Sequence, residues 1–183
     1  MRFAYADPPY IGCAAKHYRH HPDYGGEVDH VALIERLNTY DSWALSLHSP
    51  SLRTILPMCP EDVRVMAWVK PFAVFKPGVN PAYAWEPVIV RGARKRGKAE
   101  PTVRDWVSVS IALRRGVAGA KPEDFCFWLF EVLGVRAEDE FDDLFPGSRA
   151  VTKALRLYLS QQRLPLKVAM RKASASLPLE TEA

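Results

Sequence analysis

Cysteine is scarce in this chain. Cys13, Cys59 and Cys126 lie far apart and form no C-x-x-C pair, which excludes a disulfide framework and leaves no zinc-ligand spacing. Long apolar runs are missing too: none approaches the roughly 20 residues of a membrane span. The opening MRFAYADPPY holds no stretch long enough for a secretory signal. A cytoplasmic protein without membrane contact is the expectation. His17, His20 and His21 stand close together but lack a matching acid or Cys/His pair, so they read as a polar loop and no metal is expected. Acidic residues are absent from Leu144 to Leu179, while Arg149, Lys153, Arg156, Arg163, Lys167, Arg171 and Lys172 fall in that stretch. A second acid-free cluster, Arg91, Arg94, Lys95, Arg96 and Lys98, occupies one short segment. The net charge of +4 is mild. Its distribution points to a polyanionic partner, because neutralising phosphates drives non-specific nucleic-acid binding.

What is present suits one compact domain. The chain has 183 residues, 48% hydrophobic and 25% charged, enough for a single substantial core. A domain over 1–172 is expected, with a frayed Ser/Ala-rich tail over 173–183. Phe3 to Ala6 reads as a short buried strand stopped by Asp7-Pro8-Pro9. Val28, Val31, Ile34 and Leu37 recur at helical spacing. Trp43 to Leu47, Val63 to Val69 and Pro87 to Val90 read as strands, and Pro50 opens a short helix running to Leu56. Thr102 to Gly119 has too weak a pattern to assign. Lys121 to Gly134 is a helix by signal, with Pro122, Glu123 and Asp124 at its start and Gly134 as terminator. A strand over Glu140 to Phe145 passes through Pro146-Gly147-Ser148 into a helix carrying Val151, Leu155, Tyr158 and Leu159 on one side. Strands alternating with helices argue for an α/β layer structure with a mostly parallel sheet.

Asp7-Pro8-Pro9-Tyr10, directly after a buried strand, is the sharpest chemical feature. A nucleobase amine is a poor nucleophile because its lone pair is delocalised into the ring. Two acceptors gripping its two N–H groups draw the nitrogen toward tetrahedral geometry and localise that pair. The Asp7 carboxylate and the Pro8 carbonyl can supply both, on a turn that the prolines stiffen. Tyr10 can stack on an extruded base.

With these residues the chain resembles the DNA amino-methyltransferases with a D-P-P-Y motif, in the permuted order that puts the catalytic half first. Three points carry the resemblance: Ala6 to Tyr10, Lys121-Pro122 opening a helix, and Asp143-Leu144-Phe145-Pro146-Gly147-Ser148, which is similar to the family's D-x-F-x-G-S loop. The resemblance implies a Rossmann-like α/β fold and S-adenosylmethionine (SAM) as cofactor. It also implies methylation of a base amine, adenine N6 in DNA first, with N4-cytosine and RNA as alternatives. Asp7, Pro8, Pro9 and Tyr10 would form the amine site. Lys121, Pro122, Phe125, Asp143, Phe145, Gly147 and Ser148 would border SAM. Arg91, Arg94, Lys95, Arg96 and Lys98 would contact nucleic acid, standing where relatives insert a target-recognition domain after a strand that includes Glu86.

Two departures qualify this. Arg149 stands where the family's loop usually has a second glycine, whose freedom allows a positive φ or close approach to the cofactor. No acid follows that could hold the SAM ribose, so the sheet is expected to be truncated beyond the loop. A homodimer or partner subunit completing the site, and an inactive nucleic-acid-binding protein that keeps the fold, are the alternatives this leaves.

Overall fold

A computed structural model describes residues 1–15, 19, 25–72, 77–111 and 120–162 of the chain. His17, His20 and His21, the basic residues Arg163, Lys167, Arg171 and Lys172, and the tail over 173–183 lie outside the described residues.

The elements in chain order are β1 (Arg2–Ala6), α1 (His30–Leu37), β2 (Ser42–Ser46), the short helix α2 (Leu52–Ile55), β3 (Arg64–Val69), β4 (Trp85–Arg91), β5 (Trp106–Ser108), α3 (Glu123–Leu133), β6 (Glu140–Asp143) and α4 (Ala150–Gln162). Single 310 turns, Ser49–Ser51 and Leu56–Met58, flank α2. The strands form one sheet in the order β5-β3-β4-β2-β1-β6. β1 pairs in parallel with β2 and β6, and β3 with β5, whereas β4 is antiparallel to both β2 and β3. Among the described residues five strands therefore point one way and β4 alone points back.

The period-two alternation of β1 decides the layers. Phe3 and Tyr5 face one core with Trp68, Val88 and the buried sides of α3 and α4. Ala4 and Ala6 face the other with Leu45, Ile89, α1 and Ile55. Helices thus cover both faces of the sheet, as the alternation of elements implies. α3 is buried nearly all round, through Phe125, Cys126, Trp128, Leu129, Phe130, Val132 and Leu133. Each large apolar side chain so enclosed stabilises the fold by roughly 1.5–3 kcal/mol. Gly134 ends this helix at φ 74°, and its amide donates to the Phe130 carbonyl at 2.8 Å. A Cβ there would lie 2.7 Å from Cβ of Arg94, so only glycine fits.

Boundaries move by a residue or two for physical reasons. α1 begins at His30 rather than near Val28 because the Asp29 carboxylate caps the amides of Val31 and Ala32. Pro122 caps α3 instead of lying within its first turn, which holds Glu123 and Asp124. The last strand ends at Asp143, two residues before Phe145. β5 falls inside the stretch the sequence leaves unassigned, because three half-exposed residues carry no readable alternation.

Candidate active site

The strand directions bring the ends of β1, β2, β3, β5 and β6 to one edge of the sheet, together with the start of β4. Backbone hydrogen bonding joins the two turns singled out in the sequence: the Leu144 amide donates to the Tyr5 carbonyl at 2.9 Å. The D-P-P-Y turn and the Asp143-to-Ser148 turn therefore leave adjacent parallel strands side by side. In open α/β sheets, ligands bind at this carboxyl edge.

Asp7 is the first residue beyond β1. Both its carboxylate oxygens lie 2.7 Å from the Lys121 ammonium, which is buried at the entrance to α3. Lys121 also lies 3.7 Å from Oε2 of Glu86. Glu86 in turn accepts a short hydrogen bond from Lys70 through Oε1. Two acids and two bases thus alternate, Asp7–Lys121–Glu86–Lys70, against the Trp68 ring, whose centroid is 5.5 Å from the Lys121 nitrogen and 5.0 Å from that of Lys70. Burial pushes the Asp7 carboxyl above its ordinary value, and Lys121 opposes that shift. Burial alone would pull Lys121 down, but Asp7 and Glu86 outweigh it and hold the ammonium above its usual range. Glu86 would likewise be raised by burial, yet Lys121 and Lys70 together draw it below the ordinary glutamate value, helped by hydrogen bonds from Lys70 and Tyr10. Opposite charge at short range favours the ionised forms where low dielectric alone would neutralise them.

Tyr10 stacks flat on the His48 imidazole, with centroids 4.8 Å apart and planes 7° from parallel. His48 is itself held by a 2.8 Å hydrogen bond between its Nδ1 and Oγ of Ser51. Below them the Tyr5 hydroxyl meets Oγ of Ser46 at 2.7 Å, and burial lifts the Tyr5 pKa well above normal. Pro8 is buried and Pro9 half-buried, which fixes the course of the turn.

On the neighbouring strand, Asp143 is half-buried. Its Oδ2 accepts from the Thr152 hydroxyl at 3.2 Å, while Oδ1 is buried without a hydrogen-bond partner among the described residues. Burial raises the Asp143 carboxyl and the nearby Asp7 charge adds to the rise. A buried acceptor left open at a ligand-binding edge suits a cationic group such as the ammonium of an amino acid. Gly147 then takes φ 36° and Arg149 φ 57°, the one non-glycine positive φ among the described residues. The Arg149 carbonyl accepts the first bond of α4, from the Lys153 amide at 3.0 Å. Phe145 is half-buried and Ser148 exposed, and the Ser148 hydroxyl oxygen accepts from the Ala150 amide at 3.3 Å. These residues can hold SAM: an open carboxylate, a loop bent through left-handed backbone, and a helix start all face the Asp7 edge.

Lys121, expected beside the cofactor, is bonded to Asp7. Phe125 is fully buried in the core, with its ring 4.9 Å from Trp68 and 5.7 Å from Trp128. Cys126, one residue further, is also fully buried, and burial pushes its thiol up to about 12.

The basic segment from Arg91 lies elsewhere on the sheet. Because β4 runs antiparallel, Arg91 pairs with Trp43 at the beginning of β2, at the edge opposite Asp7. The segment is acid-free in sequence but not in space. Arg91 bonds Asp62 at 2.8 Å, Arg94 bonds Asp139 at 2.6 Å and the Gly134 carbonyl at 2.9 Å, and Arg96 pairs with Glu131 at 3.1 Å. Asp139, with a side chain only 1% exposed, also takes the chain's amino terminus at 2.8 Å. Lys95 and Lys98 are exposed. By contrast, Arg149, Lys153 and Arg156 are exposed at i, i+4 and i+7 from the start of α4, the end nearest Asp7, with no ion pair among the described residues.

Residues that sequence reasoning gave no catalytic place are Glu86, Lys70, Trp68 and His48. The readable signal was a glutamate inside the apolar strand Trp85-Glu86-Pro87-Val88-Ile89-Val90. A charge in a buried run needs a partner.

No protein-family model matches the chain, and no curated protein matches it in sequence. Among 39 matching chains of solved structures is the crystal structure of the M1.HpyAVI–SAM complex. The two superpose with a TM-score of 0.51 at 14% identity, over 90% of this chain and 88% of that one. At such identity the likeness is one of fold, and it establishes the Rossmann-like methyltransferase architecture expected from the sequence.

Proposed function

We propose that the protein transfers a methyl group from SAM to the exocyclic amine of a nucleobase, with adenine N6 in DNA as the preferred target. The observation that carries this reading is the adjacency of the two turns: Leu144 bonds to Tyr5, so Asp7 and Asp143 end neighbouring strands at one edge. The fold shared with the SAM complex of M1.HpyAVI supports the choice of donor.

SAM, when bound, supplies an electrophilic methyl group on a positively charged sulfur. The Asp7 carboxylate and the Pro8 carbonyl accept the two amine protons, which localises the nitrogen lone pair. Tyr10, backed by His48, offers a fixed plane on which the base stacks, and Asp143 Oδ1 is the open acceptor for the methionine ammonium. An amine so held would take that methyl group as the donor's carbon–sulfur bond broke, and the product would lose its proton to water without a strong base. Positioning and preorganised dipoles supply most of the acceleration. The stripe Arg149, Lys153 and Arg156 supplies phosphate contacts that place DNA without reading its sequence.

The test is methyl transfer from radiolabelled SAM to unmethylated DNA by the natural protein and by Asp7→Ala. The expected result is signal from the first and a loss of at least about 100-fold in the second, the scale of removing a key transition-state contact. Lys121 occupying both Asp7 oxygens favours a second reading, a protein that binds nucleic acid without catalysis. Equal signals from the two proteins would decide for it.

A further inference from the structure

Lys121 meets the oxygens that the proposed reaction needs. An ammonium 2.7 Å from both Oδ1 and Oδ2 of Asp7 takes the central approach to that carboxylate. An incoming amine needs the same acceptor, so the ammonium has to move. Its room to move is narrow. The Lys121 side chain is 6% exposed, its nitrogen lies 5.5 and 6.0 Å from the centroids of the Trp68 and Phe125 rings, and its backbone immediately precedes Pro122, the N-cap of α3. Deprotonation offers no escape, because both neighbouring acids favour the charged form.

One acceptor stands within that range. Oε2 of Glu86 is buried, lies 3.7 Å from the Lys121 nitrogen, and accepts no well-formed hydrogen bond from the described residues. Its sister oxygen is anchored by Lys70, and β4 pairs Glu86 directly with Trp68, so strand and hydrogen bond together hold the carboxylate at this place. A shift of about 1 Å brings the ammonium from ion-pair distance to hydrogen-bond distance of Oε2. An unfilled buried acceptor beside a doubly engaged donor is an arrangement with two settings.

We infer that Glu86 is a positioning residue: its Oε2 receives the Lys121 ammonium when a target amine takes Asp7. The inference rests on the amine site proposed above. The exchange moves a hydrogen bond and no proton. Lys121 keeps its charge, which both neighbouring acids favour. The Tyr10 hydroxyl, which also favours the charged form of Glu86, links that carboxylate to the aromatic plane on which the base would rest.

The experiment compares two single-stranded oligonucleotides, one with a central adenine and one with purine, which has hydrogen in place of the amine. Binding is read by fluorescence anisotropy with S-adenosylhomocysteine present. The wild type is expected to prefer adenine about tenfold, the worth of one well-placed charged hydrogen bond. Glu86→Gln is expected to cut this to within about twofold, since an amide holds an ammonium less well than a carboxylate. Glu86→Asp, which keeps the charge, is expected to retain most of the preference. Glu86→Gln with full preference, or equal losses in the two variants, would overturn the inference while leaving the amine site standing. A wild type indifferent to the amine would overturn the site itself, and the inference with it.

Discussion

Replacing Lys121 by Met keeps the length of the side chain and deletes the ammonium, which tests the charged chain apart from any assigned activity. Asp7 would then face Glu86 with Lys70 as the remaining cation of the chain. Breaking a buried pair by removing one partner costs about 3–5 kcal/mol. The cost has a ceiling, because Asp7 can take up a proton instead of remaining an unpaired charge. Protonating a carboxyl of ordinary pKa 3.8 at pH 7 takes about 4 kcal/mol, at about 1.4 kcal/mol per unit. A loss of about 3–4 kcal/mol at pH 7 follows.

The sign of the pH dependence is then determined. In the variant the folded Asp7 pKa is raised further above its unfolded value, so above pH 3.8 unfolding releases a proton. Stability of the variant falls as pH rises through that window, and the gap from wild type narrows by up to about 1.4 kcal/mol per unit on acidification. Urea denaturation at pH 7 and pH 5, followed by tryptophan fluorescence, measures it; Trp68 lies against the chain. A penalty that stays equal at the two pH values, or grows at pH 5, would refute the reasoning. The Lys121–Asp7 contact would then contribute nothing that burial and charge do not already supply.

Arg149→Gly should relieve the left-handed backbone at φ 57°, which costs a residue with a Cβ about 1–2 kcal/mol. Greater freedom of glycine in the unfolded chain returns about 0.5–1 kcal/mol of that, leaving a small net gain in thermal stability. The same change should tighten SAM binding, measured by calorimetry; unchanged or weaker affinity would refute this. A Lys153→Glu/Arg156→Glu double variant should weaken DNA binding and lower the slope of log affinity against log salt by about 2, two phosphate contacts' worth. Lys95→Glu/Lys98→Glu, at the opposite edge, should leave that slope unchanged, and the reverse ranking would restore the basic segment after β4 as the DNA contact.

Periodicity made most of the fold readable. Phe3 to Ala6, Trp43 to Leu47 and the stripe of α3 announce themselves because burial imposes a repeat of two or near 3.6 on the side chains that face a core. The Asp7-to-Tyr10 turn and the Asp143-to-Ser148 turn were readable from short motifs, and their meeting at one edge follows from β1 and β6 being adjacent and parallel. β5 was invisible because three residues are too few to show a repeat. Lys121 looked like a residue at the start of a helix because its partner lies 114 positions away. The ion pairs of the basic segment from Arg91 were hidden for the same reason: their acids, Asp62, Glu131 and Asp139, come from other parts of the chain.

Strand direction was the least readable property and has the largest consequence for the site. Trp85-Glu86-Pro87-Val88-Ile89-Val90-Arg91 would fill the same place in the sheet if it ran either way, since its apolar middle packs in both senses. Running antiparallel, it presents its second residue at the edge where its neighbours present their last. Glu86 therefore stands beside Lys121 and Lys70, while Arg91 is carried to the far edge and pairs with Asp62. Reversed, the strand would put Arg91 against two lysines, three like charges in a buried space where each unpaired charge costs several kcal/mol. The reversed strand is thus what makes the charge chain behind Asp7 neutral, and Lys121 at its head opposes the rise that burial imposes on that carboxyl.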